Sequence, residues 1–228
     1  MKIQKYQYGA SYTPISREVM GQSQGEPATS PSSEKKDDKL IEQEIIKVLG
    51  ENGIPTDVVL KEGDILGLDI GSEIDGWYGD SAITMPIGKI SKEDEELIAC
   101  SKDSLYYAID VIREGMRFKE LSKLIEDFIV SRGYQPLVRF CGHGIGKKPH
   151  EEPEIPNYLE NGDTKSGPKI KNGMVFCIEP MICQKMREPV ILENGWDVVS
   201  KDKLRGSHYE HTVAVINGTA VILSNSEN

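Results

Sequence analysis

Asp75-Gly76 separates two runs whose residues suit strands, 64–71 and 77–86. An Asp-Gly pair between such runs is a strong hairpin signal. A two-residue turn there fixes the register, so that facing residues have numbers adding to 151 and Asp69 faces Ala82. Asp80 lies two residues from Ala82 on the same strand and shares its face. Asp69 and Asp80 then become diagonal neighbours, with Cβ atoms roughly 7 Å apart. Leu68 and Ile70 flank Asp69 in a strand expected to be half buried. Two carboxylates on one face of such a strand repel each other unless something positive lies between them. A solvated acidic pair fits the same residues, and the hairpin alone does not choose between the two.

Two further segments bear on the choice. Cys141-Gly-His143-Gly-Ile-Gly146 is followed by His150-Glu-Glu-Pro153, which reads as a Gly/Pro-rich loop carrying two of the chain's 4 histidines. It is not a phosphate loop: Cys141 stands where a first glycine is needed, and Lys148 replaces the Ser or Thr. Glu179, in Phe176-Cys-Ile-Glu179-Pro-Met181, and Glu210, in His208-Tyr-Glu210-His-Thr212, lie within strand-forming residues. Glutamate is a poor strand residue and is seldom buried without a partner. Asp69, Asp80, Glu179 and Glu210 carry four negative charges when ionised, which two divalent cations neutralise. With His143 as the single nitrogen donor, this oxygen-rich set suits Mn²⁺, Fe²⁺, Co²⁺ or Zn²⁺. Two such ions activate a bridging water and clamp a tetrahedral intermediate, which is machinery for hydrolysis.

Residues 1–36 are rich in Ser, Gln, Gly and Pro and are expected to be a disordered polar tail, leaving 37–228 as the folded domain. Leu40, Ile41, Ile45, Val48 and Leu49 mark one face of a short helix. Ser91 with Asp94 predicts a capped helix whose apolar face runs from Leu97 to Ile112 and which Gly115 ends, and Leu121 to Ile129 a second one ended by Gly133. Strands are expected at 136–140, 173–183, 196–200, 208–216 and 219–224. Strands, two helices, then strands describe an α+β domain with helices on one side of an antiparallel sheet. The net charge of -10 argues against nucleic-acid binding and against anionic membranes. No secretory signal or membrane-spanning run is visible, and the 4 cysteines read as reduced thiols of a cytoplasmic protein.

From about residue 52 to 224 these blocks, in this order, closely resemble type I methionine aminopeptidases of the bacterial kind: Gly53-Ile-Pro55, Gly63-Asp64-Ile65, Leu68-Asp69-Ile70, Asp75-Gly76-Trp-Tyr-Gly79-Asp80, Cys141 to Gly146, His150 to Pro153, Glu179-Pro-Met181, Gly195-Trp196 and Tyr209-Glu-His-Thr212. The resemblance implies the pita-bread fold of the creatinase/aminopeptidase kind, and removal of the initiator methionine from nascent polypeptides. It implies that Asp69 chelates one metal, that Asp80 and Glu210 bridge two, and that His143 and Glu179 hold the second. Glu179 also handles the proton of the attacking water, His150 contacts the scissile peptide, and Trp196 lines the methionine pocket. The substrate implied is a peptide with amino-terminal Met followed by a small residue, met on ribosome-associated chains.

Two departures accompany the resemblance. Asn52 stands where the family carries a substrate-contacting histidine immediately before Gly-Ile-Pro, and Asn cannot act as an acid near neutral pH. The polar tail and one helix occupy the place of the family's opening helices and first strands, so the amino-terminal half of the fold is expected to be incomplete. The function expected is therefore a dinuclear-metal hydrolase. The alternatives are a weakly active or inactive truncated homologue that keeps the metal site, and a proline-directed aminopeptidase of the same fold.

Overall fold

The computed structural model describes residues 11–12, 59–193 and 197–225. The helix read at 40–49, Asn52 and Trp196 lie outside the described residues, as does nearly all of the 1–36 tail. In chain order the strands and helices are β1 (Ser11–Tyr12), β2 (Ile65–Ile74), β3 (Trp77–Pro86), α1 (Lys92–Val111) and α2 (Phe118–Ser131). Then follow β4 (Gln135–Pro136), β5 (Cys141–Gly144), β6 (Glu151–Pro156), β7 (Val175–Ile178) and β8 (Met181–Cys183). The last are β9 (Pro189–Ile191), β10 (Asp197–Ser200), β11 (Gly206–His208), β12 (Glu210–Ile216) and β13 (Thr219–Ile222).

The hairpin forms with the expected register, Asp69 opposite Ala82 and every pair from Ile65↔Pro86 to Ile74↔Trp77 adding to 151. Asp75 (φ 52) and Gly76 (φ 76) both take left-handed backbone, as the tightest hairpin turn requires. The hairpin edges the main sheet, whose order is β2-β3-β12-β7-β5-β6, with β13 also on β12. All pairs given for this sheet are antiparallel.

Side-chain alternation divides the sheet into two faces with different work. Phe176 and Ile178 of β7, with Val213 and Val215 of β12, turn to the helices and join Leu97, Leu105, Leu121, Ile125 and Ile129 in the main core. α1 starts as expected, with the Ser91 hydroxyl accepting from Asp94 N at 3.1 Å. Asp94 is buried and salt-bridged to Arg205, which also donates to the Gly63 carbonyl at 3.0 Å and so ties the helix start to the hairpin. The helices thus cover one face of the sheet, and the opposite face holds the candidate carboxylates.

The Gly-rich segment corrects the sequence expectation. Residues 141–144 are not loop but strand β5, paired with β6, whose first three residues also read as loop, and touching β7 at Gly144↔Phe176. The glycines are there for close approach. A Cβ on Gly142 would lie 2.3 Å from the Cys177 carbonyl oxygen, and one on Gly144 2.3 Å from that of Glu152. The strand expected at 136–140 shrinks to Gln135–Pro136.

Gly142→Ala is therefore expected to cost about 2–4 kcal/mol. Gly71→Ala, where nothing lies within 4 Å of the added Cβ, should cost no more than about 0.5 kcal/mol. Urea melts of both variants in EDTA check this, and equal destabilisation would contradict the close-approach account.

Candidate metal centre

Register places the candidate ligands in adjoining rows. Ala82 pairs with Asp69 on one side and with Glu210 on the other. The pairs His211↔Ile178 and His208↔Met181 both add to 389. β11–β12 and β8–β7 are thus one ladder, interrupted only at Tyr209 and at Glu179-Pro180. Carried across the gap, that register sets Glu210 opposite Glu179. One row therefore reads Asp69, Ala82, Glu210, Glu179. Asp80 stands one row away, next to Thr212, whose partner is Cys177. The Thr212 hydroxyl accepts from Asp80 N and donates to Asp80 O, both at 2.8 Å.

The ligand atoms converge accordingly. Three sets each have potential donor atoms within 4.8 Å of one another: Asp69, Asp80 and Glu210; Glu179, His208 and Glu210; and His143, Cys177 and Glu210. Glu210 belongs to all three sets and is 2% exposed. His143 presents Nε2 at 3.4 Å from Glu179 Oε1, and its Nδ1 lies 3.0 Å from the Gly144 carbonyl. That carbonyl fixes the tautomer with Nδ1 as the donor and Nε2 as the free lone pair. The His150 ring centroid is 4.1 Å from that of His143. All five residues proposed as ligands from the sequence, and His150, thus gather in one place.

Residues 47–217 match Metallopeptidase family M24. The chain belongs to metallopeptidase family M24. It is 66% identical over 174 residues to the methionine aminopeptidase of Helicobacter pylori, a stretch covering 76% of this chain and 69% of that relative. Identity to methionine aminopeptidase 1 of Bacillus subtilis is 38% over 164 residues, covering 72% and 65%. The methionine aminopeptidase structure from Thermotoga maritima superposes with a TM-score of 0.71 at 35% identity, covering 74% of this chain and 66% of that one. The M24 chain therefore has the pita-bread fold and is a metal-dependent peptidase of the methionine aminopeptidase kind.

Electrostatics of the M24 site point the same way. Burial, and then the Asp80 charge, pushes Asp69 up to about 8, and burial pushes Asp80 up to about 6. Glu179 and Glu210 are raised well above the usual range by burial and by their carboxylate neighbours. Burial lowers His143 and His208 to about 4, so both imidazoles are neutral and able to bind metal. Burial also raises the Cys177 thiol well above its usual value. Among the described residues Glu210 Oε1 and His208 Nε2 are buried with no hydrogen-bond partner. Four crowded carboxylates, neutral imidazoles and orphaned donor atoms fit divalent cations.

Sequence reasoning missed three contributors. His208 carried a readable signal: residues 208, 210 and 212 alternate, so a histidine two before Glu210 shares its face. Thr212 anchors Asp80, and Asn157 Nδ2 donates to the Glu179 carbonyl at 2.9 Å, holding the strand interruption open. That amide lies in a turn region and carried no comparable signal.

The sign of the pH dependence follows. Asp69 and Asp80 keep protons in the metal-free fold that the unfolded chain has released, so their contribution falls as pH rises from about 4 to about 8. His143 and His208 act oppositely, but only between about 4 and their usual 6.5. In EDTA the melting temperature should fall between pH 6.5 and 8, and Mn²⁺ at pH 7.5 should raise it by binding the folded state. A melting temperature unmoved by both pH and metal, read by circular dichroism, would sink the centre.

Proposed function

We propose that this M24 chain removes amino-terminal methionine from peptides whose second residue is small, using two divalent ions drawn from Co²⁺, Mn²⁺, Fe²⁺ and Zn²⁺. The observation that carries this is the meeting of three donor sets at one buried carboxylate, Glu210. Asp69 and Asp80 would hold one ion and His143 and Glu179 the other, with Asp80 and Glu210 shared. The substrates are nascent chains met at the ribosome. A cytoplasmic setting agrees with four free cysteines, three of them buried. No helix among the described residues is long and apolar enough to cross a membrane.

Divalent ions bound here would supply Lewis acidity and a water that ionises near neutral pH. The protein's own part is placement and proton handling. Glu179 stands at the strand interruption with one oxygen toward each of two imidazoles, His143 and His208. From that position Glu179 is placed to take a proton from the attacking water and return it to the leaving amine. His150, beside His143, is placed to meet the peptide being cut. Asn52 replaces an acidic donor with an amide that can only hydrogen bond.

A Met-Ala-Ser peptide with added Co²⁺ or Mn²⁺ tests the reading by release of free methionine. His150→Ala should lower kcat about 10²–10³-fold while leaving metal affinity within about two-fold. Asn52→His should raise kcat, by up to about 10²–10⁴-fold if proton donation was the missing part. No methionine release by either the parent chain or Asn52→His, with metal bound, would reject the proposed activity.

A further inference from the structure

Glu179 is flanked by two imidazoles, and only one belongs to the ligand set considered so far. His143 Nε2 lies 3.4 Å from Glu179 Oε1, and His208 Nε2 lies 3.8 Å from Glu179 Oε2. His208 is 9% exposed, and its Nε2 is fully buried without a hydrogen-bond partner among the described residues. At 3.8 Å it does not hydrogen bond to the carboxylate. A buried ring nitrogen left unpaired costs free energy unless something fills the gap.

The backbone that carries the ring is also held in place. His208 N donates to the Thr84 hydroxyl, and that hydroxyl donates to the His208 carbonyl, both at 2.9 Å. Thr84 is buried, and the Tyr209 hydroxyl donates to its carbonyl at 2.9 Å. His208 pairs with Met181, and Glu179 lies just beyond on the opposite strand. Its Nε2 falls within the 4.8 Å set formed with Glu179 and Glu210. Two donor atoms on one cation, each bonded at about 2.1 Å, stand about 3–4 Å apart. The His143 and His208 separations from Glu179 both lie in that range.

We propose that His208 Nε2 is a sixth protein ligand of the centre, on the side of His143 and Glu179. The inference rests on the two-metal reading above. It gives that ion two imidazoles and the Asp69–Asp80 ion none. The two positions are then chemically unlike, and the two-imidazole one is biased toward Co²⁺, Fe²⁺ or Zn²⁺ over Mn²⁺.

Nitrogen NMR of the full chain labelled at histidine rings, titrated with Zn²⁺, tests this without activity. Two ring nitrogens should move to metal-bound positions, one of them absent from His208→Gln, or from His208→Asn if the first variant does not fold. The same variant should lose at least about 10-fold in Zn²⁺ affinity for one of two sites, by chelator competition. If only His143 responds and the variant binds Zn²⁺ like the parent, His208 is not a ligand although the centre stands. If no ring responds, the centre and this inference fail together.

Discussion

Carboxylate repulsion across one sheet face is the constraint to which the rest of this molecule answers. Asp69, Asp80, Glu179 and Glu210 come from four separate stretches of chain, and burial makes their charges expensive together. No folding force gathers such groups. They are gathered because the apolar residues that alternate with them do gain by burial. Phe176, Ile178, Val213 and Val215 drive their strands against the helices, and the alternating residues follow onto the other face. The core thus supplies the free energy that a metal site needs before any metal arrives.

Placement then depends on register more than on local conformation. Ala82 faces Asp69 on one side and Glu210 on the other, and puts only a methyl group between them. A slip of one residue at Asp75-Gly76 would send Asp80 to the helix face and break the row. The left-handed backbone at both turn residues guards against that slip.

Much of this was legible in the sequence, for physical reasons. An Asp-Gly turn states its own register, so the relation of Asp69 to Asp80 was readable in advance. A serine cap with Asp94 announced the first helix. Glu179 and Glu210 were conspicuous as charges among strand-forming residues. The Gly-rich segment reads as loop because glycine serves both freedom and crowding, and only the neighbouring chain distinguishes them. At Gly142 the deciding neighbour is Cys177, 35 residues away. His208 is legible by the same alternation, two residues before Glu210 in a strand expected to run from 208 to 216, but a histidine is not conspicuous in a strand as a carboxylate is. Asn157 acts through a carbonyl at a strand break, and such breaks have no sequence period.

The interruption has a mechanical side. At Glu179-Pro180 and Tyr209 one ladder divides, β7 and β12 staying in the main sheet while β8 and β11 leave with β4 in a smaller one. Glu179 and Glu210 sit at the fork, and His208 on the departing branch. Donors from both branches therefore close on one point, and whatever they grip acts as a clasp between the two sheets. Any loosening of one branch against the other is felt as weaker grip, and a firmer grip stiffens the fork. Thermodynamic reciprocity makes these a single property. Changes far out on β8 or β11, with no ligand among them, would then tune the site through leverage on the clasp.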